Sequence, residues 1–305
     1  MDHKLSLIFI GIAASLWGII GAFVTYLNEL GFTPVQVVAL RSLTAALFLV
    51  VYTFFKNRDL LKIKAADSKY FVGTGIISIV FFNWCLFSAI EETSISIASI
   101  LLYTAPAFVA LFSRLLFKES LTVRKLSALL ITFIGCSFVI GILPTMNETI
   151  SFYGFILGLG SGLFYALYSI FGKFALKKYD SLTVTVFTFL FAATAITPFS
   201  GVWQAGTLLL NMKAWVYIIG LGFFSTALPF ILYTKGLSRV ESSQASIIAT
   251  IEPVVASLVG FLIFHEKLNV WQYLGIVLVI AAVIIVQESA KKREKQTIVS
   301  KRSPS

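Results

Sequence analysis

Charge is scarce in this chain, and so are the residues that build most enzyme sites. Asp, Glu, Lys and Arg make up 12% of its 305 residues, against about 25% in soluble domains. Cysteine occurs only as Cys85 and Cys136, and histidine only as His3 and His265. Two cysteines inside apolar runs exclude a disulfide framework, and neither they nor the two distant histidines have metal-ligand spacing. There is no Walker loop, no H-E-x-x-H and no G-x-S-x-G. Nothing here implies a cofactor, an ATPase or a hydrolase.

What is abundant is apolar sequence. The chain is 58% hydrophobic with a mean hydropathy of +0.92. Its charges fall between apolar runs of roughly 18–25 residues, the length that spans a bilayer as a helix. The runs are continuous, so they do not fit the alternating pattern of a membrane β-barrel. Ten spans are expected, near 5–27, 34–55, 69–90, 95–117, 124–143, 152–174, 181–201, 212–234, 242–264 and 270–288. The connections are too short for an inserted soluble domain. The first run is too long for a signal-peptide core and reads as a retained helix. Residues 289–305 read as a basic, disordered tail drawn to anionic headgroups. The fold class is therefore an all-α polytopic membrane protein.

The net charge of +10 does not mark a nucleic-acid surface, because the bases are spread over many short connections. With the N-terminus cytoplasmic, 21 of the 24 Lys and Arg fall on inner segments, two on outer loops, and Arg41 within a span. The positive-inside rule then puts both termini in the cytoplasm of a cell membrane.

The chain also repeats itself. Adding 147 to positions in the first half aligns it with the second without a gap. Over 89–121 against 236–268, ten of 33 pairs are identical, including Ser99/Ser246, Pro106/Pro253 and Glu119/Glu266. Chance gives about two or three. Each repeat, 5–143 and 152–288, holds five spans. An odd number makes the second repeat enter from the opposite side. Inverted repeats of this kind build secondary transporters, with the substrate site near mid-membrane beside broken helices.

Several residues inside spans are candidates for chemistry. Glu252, next to Pro253, is an acid where an acid is expensive. It reads either as a site for a cationic group or a coupling proton, or as a structural carboxylate bonded to a neighbouring helix. Arg41 lies about 10 Å from the outer end of span two, at 1.5 Å per residue. It reads as a partner for a substrate carboxylate, as an ion pair with Glu252, or as an anchor for carbonyls and headgroups. Glu252 sits about 18 Å from its own outer end, so direct pairing requires adjacent helices. Pro106, Pro253 and Pro229 each remove a backbone donor and read as gating kinks or as static ones. Trp17, Asn83 and Trp84, with Tyr103, Tyr165, Tyr168 and Tyr233, are candidates for a cavity wall, and Ser96, Ser99, Thr104, Ser243, Gln244, Ser246 and Thr250 for its polar lining, the other reading being packing, interhelical bonding or interfacial anchoring. Gly11, Gly18, Gly21, Gly158, Gly160 and Gly162 read as close-packing positions.

Together these features identify a family resemblance. Leu16-Trp17-Gly18, Pro34 followed by Ala39-Leu40-Arg41, Ala98-Ser99 through Pro106 and Glu119, and Ala245-Ser246, Glu252-Pro253-Val254 and His265-Glu266 resemble EamA-type transporters of the drug/metabolite transporter superfamily. The resemblance covers about 5–288. It implies a central cavity walled by helices 1–4 and 6–9, with helices 5 and 10 peripheral. It also implies alternating-access movement of small metabolites, often amino acid export. Tyr103-Thr104-Ala105-Pro106 lacks the carboxylate of the second repeat, so paired symmetric acids are not expected. The expected function is a secondary transporter that exports small organic metabolites, amino acids or related solutes, with the solute and protons as its partners. The alternatives are a membrane enzyme or lipid-handling protein acting on an amphiphile, and a passive channel.

The orientation is directly testable. A cysteine at Gly206 is expected to react with an impermeant maleimide added outside intact cells, and a cysteine at Lys177 only after permeabilisation. The reverse pattern would invert the topology.

Overall fold

Helix starts in this chain are written in its polar residues. Before the second long helix, Thr33 and Gln36 form a reciprocal capping box. The Thr33 Oγ1 accepts from Gln36 N (3.3 Å) and Gln36 Oε1 accepts from Thr33 N (3.0 Å). Pro34 occupies the first turn, where its missing N–H costs nothing. Ser94, Thr122, Ser151 and Asp180 cap four further helices more simply, each side chain accepting one backbone N–H of the first turn.

The computed structural model describes residues 3–144 and 151–302, with side chains through residue 287. Its spans are α1 (His3–Glu29), α2 (Pro34–Lys56), α3 (Ala65–Glu92), α4 (Ile95–Phe117), α5 (Val123–Val139), α6 (Phe152–Ala175), α7 (Ser181–Phe199), α8 (Met212–Leu237), α9 (Ser242–Ile263) and α10 (Val270–Arg302). Among the described residues, nine of these have a membrane-spanning stretch of at least 18 residues. The tenth, α5, has 17 residues, about 26 Å at 1.5 Å each. The backbone of α10 stays helical to Arg302, across most of the stretch expected to be a disordered tail.

The packing repeats with the sequence. Helix α1 lies against α8 and α9, as its mate α6 lies against α3 and α4. Helices α2 and α7 pack on each other, as do α4 and α9, and α5 and α10. This is the pattern of a pseudo-twofold axis relating the halves. Helices α5 and α10 form a pair at the edge that touches only α4 and α9 appreciably. Between them Gly135 and Gly275 meet back to back, the close approach that small residues permit in lipid.

The irregularities are matched as well. Helix α4 breaks at Tyr103–Thr104 and α9 at Thr250, the mate of Tyr103. In each case a threonine hydroxyl bonds back three residues, Thr104 to Leu101 O (2.6 Å) and Thr250 to Ile247 O (2.5 Å). Pro106 and Pro253 follow in the first turn of the second half-helix. The breaks therefore sit just before the prolines, and at each one the threonine's own N–H and hydroxyl both bond the carbonyl three residues back. Two π-helical segments, Val72–Val80 in α3 and Phe223–Ala227 in α8, also occupy matching places. Their hydroxyls follow the wider spacing, Ser78 to Gly73 O and Thr226 to Leu221 O, each five residues back. Pro229 follows only the second π segment, so proline is not what both share.

Of the small-residue positions, Gly18 is the tightest on α1. A Cβ there would lie 2.7 Å from Glu252 O and 2.6 Å from Val255 Cβ. Gly18 thus lets α1 touch α9 at the level of Glu252, and α1 is interrupted at the next residue, Ile19. Gly21, by contrast, has no atom within 4 Å of such a Cβ, and close packing does not explain it.

Gly18→Ala is expected to cost about 1–3 kcal/mol through overpacking, seen as a lower thermal midpoint in detergent. Gly21→Ala serves as the control and should leave the midpoint in place. Equal behaviour of the two would remove the close-approach account.

Candidate functional site

A cavity of about 190 Å³ lies between α1, α2, α3, α4, α6, α8 and α9. It reaches the face bearing the odd-numbered connections, where Pro34, Val37 and Val38 open α2. Its floor, near the middle of the helices, holds Trp17, Tyr168, Ser169, Phe230 and Tyr233. That floor is locked. Tyr233 Oη and Ser169 Oγ are 2.7 Å apart, Tyr168 Oη and Thr234 Oγ1 2.6 Å, and the Trp17 ring packs 5.0 Å from Phe230 and 5.1 Å from Tyr233.

Arg41 and Glu252 line this cavity from opposite repeats. They do not close into an ion pair within 4 Å; the ion pairs among the described residues lie elsewhere. The reading of Arg41 as a direct partner of Glu252 is therefore corrected: the two flank a shared space. Glu252 accepts a long hydrogen bond, 3.5 Å, from the Tyr165 hydroxyl of α6. Arg41 is only 8% exposed, and its Nε has no hydrogen-bond partner. The Trp17 Nε1, on a side chain 5% exposed, has none either. A buried N–H left unpaired costs about 1–3 kcal/mol. Both side chains line the cavity, with these two N–H atoms covered rather than open to its space. Asn83 lines the same wall and donates to Ile79 O (2.7 Å), which leaves its carbonyl oxygen available.

The remaining candidates separate. Tyr103, Thr250 and Pro106 line a second chamber of about 20 Å³, room for roughly one water. It lies on the other side of Glu252, and Glu252, Tyr165, Ser169 and Tyr233 are common to both spaces. Pro229 and Pro253 are buried and line neither. Trp84 is 56% exposed and lines neither; its place is on the lipid-facing surface. Ser78, Phe82, Ser169 and Phe230 are wall residues that were not singled out from sequence. For Ser169 there was a signal: it lies one turn after Tyr165, on the same face of α6.

Among the described residues no three His, Cys, Asp or Glu side chains come together as a metal site.

Placement of the two tryptophans is open to a spectroscopic check. Acyl chains brominated near the bilayer centre are expected to quench a protein retaining only Trp84 several-fold more than one retaining only Trp17. Equal quenching would contradict the inward position of Trp17.

Comparison with known proteins agrees with this architecture. The pattern of the EamA-like transporter family matches residues 4–141 and again residues 152–287. An uncharacterized transporter of Archaeoglobus fulgidus is 33% identical over 198 residues, covering 65% of this chain and 69% of its own. The uncharacterized transporter YyaM of Bacillus subtilis is 27% identical, covering 83% of this chain and 84% of its own. A solved crystal structure superposes with a TM-score of 0.81 at 14% identity, covering 96% of this chain and all of that one. At that identity it speaks for the fold alone. With ten spans, two matched halves and a buried cavity between them, the chain belongs to the EamA-like transporter family and is a membrane transporter, not an enzyme.

Proposed function

We propose that this protein is a secondary transporter that carries a small zwitterionic solute, an amino acid or a close relative, by alternating access. Arg41 receives the carboxylate, with Trp17 and Asn83 beside it. Glu252 receives the ammonium group, or a proton when the solute is absent. Tyr165 orients the Glu252 carboxylate. With cytoplasmic termini, the cavity faces outward in this conformation, and the direction of net transport is export.

One observation carries the reading. A cation and an anion from opposite repeats line one mid-membrane cavity, Arg41 buried and Glu252 half-buried, with no ion pair closed between them. Burying unpaired charge is costly unless a ligand or water completes it. The cavity is below the roughly 300–1,000 Å³ of drug-sized sites, which suits a small metabolite. Its closed floor supports a carrier over a passive channel. Its mixed walls, with no metal site among the described residues, lend no support to a membrane enzyme.

Counterflow in proteoliposomes tests the assignment. Glu252→Gln and Arg41→Ala are each expected to lower exchange of an accepted amino acid at least about tenfold, the loss of roughly 1.4 kcal/mol of binding. Trp84→Phe is expected to exchange like wild type. Wild-type exchange by both charge variants would overturn the assignment.

A further inference from the structure

The face opposite the cavity mouth is held shut by buried charge. Glu119 follows α4 on that face and is 7% exposed. Its Oε1 accepts from Ser242 N (2.7 Å), and its Oε2 accepts from Ser243 N (3.2 Å) and from the Ser243 hydroxyl (2.6 Å). The carboxylate thereby caps the first turn of α9, where free N–H groups and the helix dipole favour an anion. Lys125 of α5, 2% exposed, donates to Ser243 Oγ (2.7 Å) and to Glu241 Oε2 (2.5 Å), and lies 3.8 Å from Glu119 Oε2. One turn further along α9, Ser246 lines the small chamber below Glu252. The bonds of Glu119 hold the start of α9 to the end of α4 on this side of the chamber.

The repeat supplies a second copy of these parts at the other face, and there they are apart. The mate of Glu119 is Glu266, and the mates of Ser242 and Ser243 are Ile95 and Ser96. Both glutamates are delivered by the same backbone device. Lys118 and His265, mates again, each adopt a left-handed conformation with φ of 56°. Non-glycine residues rarely adopt it, and it persists where the surroundings demand it. Yet Glu266 and Ile95 are exposed and Ser96 is only half-buried, whereas Ser242 and Ser243 are fully buried. Lys125 also has no charged counterpart: its mate Gln272 donates to Val139 O (3.2 Å).

We propose that Glu119 and Glu266 are alternating latches. In the conformation described here Glu119 caps α9 and seals one face. In the opposite conformation Glu119 releases α9, and Glu266 caps α4 at the amides of Ile95 and Ser96 and the Ser96 hydroxyl. The two caps are the same bonds exchanged between repeats. Lys125 strengthens only the first, so the two conformations are not equal in free energy. This inference rests on the alternating-access reading above, but its test needs no substrate.

In a background with Cys85 and Cys136 replaced by alanine, two reporter cysteines are introduced separately, Ser246→Cys in the inner chamber and Val38→Cys in the outer cavity. Each is labelled with an impermeant maleimide from its own side in oriented vesicles. Glu119→Gln is expected to raise labelling at 246 and lower it at 38, by about tenfold, since charge-assisted hydrogen bonds are lost. Glu266→Gln is expected to lower labelling at 246 below the parent level. A short bis-maleimide is expected to join Glu266→Cys to Ser96→Cys faster when Glu119→Gln is also present. Changes in the same direction for the two glutamate variants, or no acceleration of the cross-link, would overturn the proposal. Should Glu119→Gln fail to reach the membrane, Glu266→Gln, at an exposed position, still decides it through position 246. Absence of counterflow by the wild type would count against the transport reading and leave the labelling result standing.

Discussion

A bilayer offers a backbone amide no partner, and that one constraint orders the whole molecule. Every departure from a continuous helix must be repaired within the protein or must line a wet space. The two broken helices obey it: at Tyr103–Thr104 in α4 and at Thr250 in α9 a threonine hydroxyl bonds back to the preceding turn, and each break lies against a chamber. The two π segments obey it through Ser78 and Thr226. The same rule applied to charge puts Arg41 and Glu252 on cavity walls and gathers Lys125, Glu119 and Glu241 into a mutually bonded cluster. Lipid-facing positions are left to residues such as Leu47, Phe55 and Trp84.

Symmetry supplies the scaffold, and departures from symmetry supply the chemistry. The breaks of α4 and α9, the π segments, the left-handed Lys118 and His265 and the helix neighbours recur in both halves, whereas the interruption of α1 at Ile19 has no counterpart in α6. Glu252 faces Ala105 across the repeat, Arg41 faces Thr188, and Lys125 faces Gln272. A symmetric frame gives a carrier two equivalent ways to pack. Charges without a charged mate in the other repeat make those two packings unequal in free energy.

Much of this was legible in sequence. Spans, repeat, prolines and the buried acid all rest on length, polarity and spacing, which the chain carries locally. The candidates Trp17, Arg41, Asn83 and Glu252 do meet in one cavity. Tyr103 and Thr250 lie in another, and Trp84 lies on the outside. Asn83 and Trp84 are adjacent in sequence, and one residue of helix is about 100° of rotation. Which of the two turned inward depended on how α3 was rotated against α6 and α7. In an apolar run with no polar face, composition does not set that rotation.

Sequence alone determined that the chain crosses the membrane in ten spans, that its halves are inverted copies, and that one carboxylate sits where only protein or water can receive it. These follow from the cost of polar groups in hydrocarbon, which acts on each segment separately. Tertiary structure decided that Arg41 and Glu252 flank a space without closing an ion pair, that the cavity divides at Glu252, and that Glu119 is buried against α9 while Glu266 is exposed. Those depend on how the helices are rotated and packed, which is settled by contacts between segments far apart in the chain.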